Sequence, residues 1–87
     1  MMMVYILRCA DGALYVGHTH DLAARLAAHN AGEAALFTRK RRPVVVAYSE
    51  NHRNVQAAVA GEKQIKRWTR RKKDALIEGD LLLLKRL

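Results

Sequence analysis

Two short apolar runs open the chain, MVYILRC at 3–9 and ALYVGH at 13–18, with Ala10-Asp11-Gly12 between them. Their β-branched and aromatic residues, broken by a turn signal, predict the two strands of a hairpin. The length of the loop decides which side chains share a face, because a slip of one residue turns a whole strand over. A two-residue Asp-Gly loop pairs 10 with 13 and separates Tyr5 from Tyr15. A three-residue loop with Gly12 left-handed pairs 9 with 13 and puts Tyr5, Leu7, Tyr15 and Gly17 on one face. The second register is expected, because it stacks the bulky side chains and leaves Gly17 as an open spot beside them.

Beyond the hairpin the period changes from two to between three and four. Asp21 is placed to cap a helix to about Asn30, with Gly32 as its stop. Residues 33–42 read as a basic loop. Pro43 opens a third strand, PVVVAYS, at a position where its missing N–H is not needed. Asn54 caps a second helix to about Trp68, Thr69 caps a third to Glu78 that Gly79 ends, and Asp80 begins a last helical turn. The expected fold class is α+β, a small three-stranded, mainly antiparallel sheet flanked by helices, as one domain over 1–87.

Polar residues interrupt the apolar stripes of the helices. In the first helix Leu22 and Leu26 mark the buried line, His29 falls on it and Arg25 lies at its edge. Two readings stand: boundary residues whose stems cover the core, or functional groups aimed at the tyrosines. In the second helix Val55, Ala58, Val59 and Ile65 define the buried face, with Glu62 near its middle, while Gln56, Lys63, Gln64 and Arg67 point away. A carboxylate there needs a partner, because burying it alone costs several kcal/mol. Lys66, one turn later, is the plain candidate; a metal or catalytic role is the other.

Charge adds a partner class. Sixteen Lys and Arg against eight Asp and Glu leave a formal net charge of +8. The excess gathers at Arg39-Lys40-Arg41-Arg42 and around Lys66-Arg67 and Arg70-Arg71-Lys72-Lys73. Such a body attracts polyanions, nucleic acid first among them. No membrane partner is expected, since LLLL at 81–84 is far short of the ~20 apolar residues of a span. Cys9 is the only cysteine, so an intramolecular disulfide is impossible and no zinc spacing exists. Met1-Met2-Met3 runs straight into a strand without signal-peptide features, and the cytoplasm is the expected compartment.

A Tyr pair, an Arg, a His and a Glu are thus expected to face one space between sheet and helices. That set suits phosphodiester cleavage: a carboxylate for a divalent cation, a guanidinium for the phosphate, and phenol or imidazole for protons. Its ordered motifs are Met3-Val4-Tyr5, Tyr15-Val16-Gly17, Arg25 with His29-Asn30, the Thr38-Arg39…Arg42-Pro43 loop, and Glu62 in EKQIKRW. In them the chain resembles the GIY-YIG nuclease domain over 3–78, and in particular its small stand-alone members.

The resemblance implies that Tyr5 and Tyr15 are the active-site phenols, Arg25 the phosphate-stabilising arginine and His29 an auxiliary proton or phosphate ligand. It implies that Glu62 is the ligand of one divalent metal, Mg2+ or Mn2+. Gly17 is the point of close backbone approach. Met3 replaces the first glycine of the signature. His18 stands where some relatives carry a lysine near the scissile phosphate; it has that role or is a solvated turn histidine. A phenol acting as base near neutrality needs a cation beside it to favour phenolate.

Arg39, Lys40, Arg41 and Arg42, with Lys63, Lys66, Arg67, Arg70 and Arg71, are expected to track phosphates, which carries little sequence information. The implied partner is nucleic acid, DNA in the first instance, recognised by structure or by a free end, with a protein partner as a possible source of specificity. Trp68 is either a stacking platform for a base or a lid on the core. The alternative to a nuclease is a non-catalytic nucleic-acid-binding module on the same fold, told apart by cleavage that needs the metal.

Overall fold

The computed structural model describes residues 1–87. The hairpin forms with the three-residue loop. β1 (Met2–Arg8) and β2 (Leu14–Thr19) are antiparallel, with Tyr5 opposite Gly17 and Leu7 opposite Tyr15. Gly12 takes φ +88°, the left-handed turn that a side chain would strain. The Cys9 N–H donates to the Ala13 carbonyl at 2.8 Å, and the Gly12 N–H to the Cys9 carbonyl at 2.9 Å.

Beyond the hairpin come α1 (Leu22–Asn30), α2 (Leu36–Arg39), β3 (Val45–His52), α3 (Val55–Lys66), α4 (Arg70–Glu78) and the terminal α5 (Leu81–Arg86). Asp21, Asn54, Thr69 and Asp80 cap α1, α3, α4 and α5, each side chain accepting a backbone N–H three residues on. The basic loop is not all irregular, since α2 forms one turn within it. Pro43 lies before the third strand, after a cis peptide bond from Arg42, and pairing starts at Val45.

The sheet order is β2-β1-β3, with both pairs antiparallel. β1 is therefore the central strand, and this explains why VYIL at 4–7 is apolar without alternation: every one of these side chains is buried, on one face or the other. Val4 and Ile6 join Val16, Ala58 and Ile65 under α3 and α4. Tyr5 and Leu7 join Cys9 and Val44, with Leu22 and Leu26 of α1 packed against them. Each large apolar side chain so buried contributes about 1.5–3 kcal/mol. Val55 departs from the predicted face of α3. It is 49% exposed, because the first residue of the helix lies ahead of the turn that meets the sheet.

Two polar devices tie the frame together. Asn30, the last residue of α1, donates through Nδ2 to the Val44 carbonyl at 3.0 Å and accepts the Val44 N–H at 2.8 Å. On the other face, Glu50 of β3 accepts the Tyr48 hydroxyl at 2.6 Å and meets His52 Nε2 at 2.6 Å. This ladder lies under Gly61 of α3, where an added Cβ would come within 3.1 Å of His52 Nε2. Gly61 thus lets α3 settle close to β3, and Glu62 is the next residue.

Candidate functional site

Tyr5 and Tyr15 share a face as the register requires, but they differ in access. Tyr5 is 1% exposed. Its phenol extends across β2 at Gly17, where any Cβ would lie 2.6 Å from the hydroxyl oxygen; glycine alone admits it. Tyr15 is half-buried, and its ring packs edge-on against the His29 ring with centroids 5.0 Å apart.

α1 brings His29 under both rings and buries it to 1%. Tyr5 Oη and His29 Nε2 are 3.0 Å apart; His29 Nδ1 and Thr38 Oγ1 are 2.8 Å apart. Thr38, fully buried on α2, donates its hydroxyl hydrogen to the Ala35 carbonyl at 3.2 Å. Both ring nitrogens of His29 are thus engaged, and which of them donates depends on the tautomer of the ring. Burial and the charge of Arg25 hold the imidazole below its ordinary value, as the neutral base.

Arg25 itself is exposed on α1, with its guanidinium in the field of Tyr5. It does not make a phenolate of that residue. Burial, the neighbouring Tyr15 and the Glu62 charge outweigh Arg25 and push Tyr5 up to about 12. Arg25 alone does not favour the phenolate at Tyr5, because a buried anion loses more hydration than one exposed guanidinium returns.

Glu62 lies on the other side. α3 packs on the Val4, Ile6 and Val16 face, opposite the face of the tyrosines, so the five groups come to β2 from two faces of the sheet, with the Glu62 charge still reaching Tyr5. They form two half-sites around β2, one of the two outer strands of the sheet. Tyr5, Tyr15, Arg25 and His29 lie on the α1 side; Glu62, His18 and Lys66 lie on the α3 side.

Glu62 Oε2 meets Lys66 Nζ at 2.7 Å, and Oε1 meets His18 Nδ1 at 2.5 Å. Burial opposes its ionisation, but these two hydrogen bonds and their charges win, and the carboxyl is held below its ordinary range. The Lys66 pairing is thereby realised. His18 is a strand residue paired with the acid, not a solvated turn histidine. No group of three or more His, Cys, Asp or Glu side chains is arranged to hold a metal ion.

The basic residues divide. Arg39, Lys40 and Arg42 line a cleft of about 400 Å³ with Asn30 and Pro43. Arg39 Nε donates to the Gly32 carbonyl at 3.0 Å and Arg42 Nε to the Arg39 carbonyl at 2.9 Å, which fixes both heads without neutralising them. Arg41 is engaged elsewhere: it pairs with Asp11 at 3.1 Å and lies 3.9 Å over the Phe37 ring. Arg70 is paired with Asp74 and Lys66 with Glu62, while Lys63, Arg67 and Arg71 are exposed. Trp68 packs against the core under α3, with Lys72 Nζ 4.5 Å over its ring. The exposed aromatic beside the site is Phe37, 6.0 Å from Tyr15 between centroids.

Three residues of this arrangement are given no role by the sequence: Thr38, Phe37 and the clamping Asn30. Asn30 and Thr38 stand inside the ordered motifs, while the only signal for Phe37 is its position between the end of the first helix and the arginine run.

A tyrosine on each strand of the hairpin in a three-stranded antiparallel sheet, with the Arg-His helix against one face and the Glu helix against the other, is the arrangement of a GIY-YIG domain. The chain belongs to that family, residues 1–74 matching the GIY-YIG catalytic domain. Within it the chain is similar to UPF0213 proteins. One from Bacillus pumilus is 50% identical over 74 residues, which is 85% of this chain and 76% of that protein. Another, from Streptococcus sanguinis, is 45% identical over 75 residues, 86% of each. The solution NMR structure of a UPF0213 protein from Bacillus halodurans aligns with TM-score 0.58 at 35% identity, over 90% of this chain and 84% of that one.

Proposed function

We propose that this protein binds nucleic acid through its phosphates, seating one phosphodiester at the outer edge of β2 beside Arg25. The observation that carries this is the set of cations without acidic partners, with Arg39, Lys40 and Arg42 gathered in one cleft on a chain of net charge +8. Contacts of this kind read backbone and shape rather than base sequence. DNA is the partner to try first.

Hydrolysis of the seated phosphodiester is the second reading. It is favoured by the gathering of Tyr15, Arg25 and the Tyr5–His29 pair on one side of β2, with the Glu62 charge reaching Tyr5 from the other. Of the two phenols, Tyr15 is the one with access to solvent and so the one to meet a water nucleophile. Arg25 would hold the non-bridging oxygens, and Tyr5 with His29 would fix the floor beneath them.

Glu62 would be the protein ligand of Mg2+ or Mn2+, which supplies charge stabilisation at the leaving oxygen. One carboxylate, completed by water and phosphate oxygens, is a donor set Mg2+ accepts. Lys66 or His18 has to yield an oxygen first, and Lys66, half-exposed, is the easier to move.

One experiment tests both readings. Labelled single-stranded, duplex, nicked and branched DNA, and RNA of matched length, are titrated with purified protein across a salt series, with and without Mg2+ or Mn2+. Binding that weakens steeply with salt, with no new product, supports the binding module. Metal-dependent cleavage supports the nuclease. Absence of salt-sensitive binding to every substrate overturns the proposal.

A further inference from the structure

We infer that Thr38 is a positioning residue: it fixes the tautomer of His29, and through it the direction of the Tyr5 hydroxyl. This goes beyond the nucleic-acid reading above but rests on it, since Arg25 matters as the phosphate clamp.

The chain of donors runs one way. Thr38 Oγ1 has one hydrogen and directs it at the Ala35 carbonyl, 3.2 Å away. Its lone pair therefore faces His29 Nδ1 at 2.8 Å, and Nδ1 carries the proton. Nε2 is then a bare acceptor, and the Tyr5 hydroxyl 3.0 Å away points its hydrogen there. The Tyr5 oxygen is left with its lone pairs free, an arrangement that the nearby positive charge of Arg25 favours.

The opposite tautomer gives a poor result at each step. His29 Nε2–H would donate to the Tyr5 oxygen, and the Tyr5 hydrogen, in a side chain 1% exposed, would have no acceptor. Its O–H dipole would turn toward the guanidinium and repel it. A buried donor without an acceptor is unfavourable, so the chain is a two-state element with one preferred direction. Thr38 is the member that sets it, because its own hydrogen is committed to a backbone carbonyl.

The test compares wild type, Thr38→Ser and Thr38→Val. Long-range 1H–15N NMR of His29 reports which ring nitrogen is protonated, and DNA affinity is measured on the same samples. Wild type and Thr38→Ser are expected to show Nδ1–H and Nε2 without a proton. Thr38→Val is expected to lose that pure tautomer and to bind DNA about two- to thirty-fold more weakly, the range over which residues touching neither partner tune a coupled site.

Protonation of Nε2 in the wild type overturns the inference, and that measurement needs no variant to fold. So does an unchanged tautomer in a folded Thr38→Val. A wild-type protein that binds no nucleic acid overturns the proposed function instead, and the NMR result then decides the hydrogen-bond direction alone.

Discussion

The Tyr5 hydroxyl occupies the space that a Cβ on Gly17 would need: the two would be 2.6 Å apart. The strand pairing that sets Tyr5 opposite Gly17 therefore decides both where the phenol goes and which residue can face it. Gly17→Ala is expected to push the Tyr5 ring off His29. The cost to stability is about 1–3 kcal/mol, as for overpacking a core. Denaturant unfolding measures the cost, and the His29 imidazole shifts show whether the 3.0 Å hydrogen bond to Tyr5 survives.

Tyr5 also makes stability depend on alkaline pH. Burial, then Tyr15 and the Glu62 charge, raise it from 10.0 to about 12 against the opposing Arg25. The folded chain keeps its proton after the unfolded chain has released it, so stability is full below 10 and falls as pH rises toward about 12. Tyr48, raised by burial and by its Glu50 partner, adds to the same loss. Tyr5→Phe is expected to make the alkaline decline shallower in urea unfolding, followed upward from about pH 8, roughly two pH units below the free phenol value.

At the acid end Glu62 acts with the opposite sign. Its carboxyl is held below the ordinary 4.5, so its contribution is complete above that pH and fades as pH falls below it, through the folded value. Glu62→Gln is expected to flatten this acid limb. It also leaves Lys66 and His18 facing one another without an anion, so unfolding at neutral pH should come earlier in denaturant. If Mg2+ or Mn2+ drives cleavage, the same variant is expected to lose that dependence, as read by product formation over a metal titration.

Arg39, Lys40 and Arg42 differ from the other cations in having a shared cleft and no acid. Lys40→Gln removes one charge and none of the backbone hydrogen bonds that Arg39 and Arg42 make. It should weaken DNA binding evenly across sequences and reduce the slope of log affinity against log salt by about 0.7–0.9 for each phosphate that is no longer neutralised. Arg41→Gln, already tied to Asp11 and Phe37, is expected to leave that slope unchanged.

Asn30 closes the joint between α1 and the approach to β3 with two hydrogen bonds to Val44. Asn30→Ala strands a buried N–H and carbonyl. A destabilisation of about 1–3 kcal/mol is expected, together with faster hydrogen exchange at the Val44 amide.

Local chemistry determined most of the frame. Asp21, Asn54 and Thr69 cap their helices because a short side-chain oxygen satisfies an N–H that the first turn leaves free. Gly12 and the three-residue loop fix the register of the hairpin, and with it the common face of Tyr5 and Tyr15. The motifs from Tyr5 to Glu62 likewise carried the family.

What the linear order could not decide is which side of a sheet a helix lands on. Arg25 and Glu62 each face β strands on their own wheels, but a wheel does not say which face of the sheet is met. Only the packing of α1 and α3 on opposite faces sets the two half-sites around β2. Thr38, Asn30 and Phe37 depend on the loop folding back over α1. Their roles belong to contacts between distant residues, which no local pattern encodes.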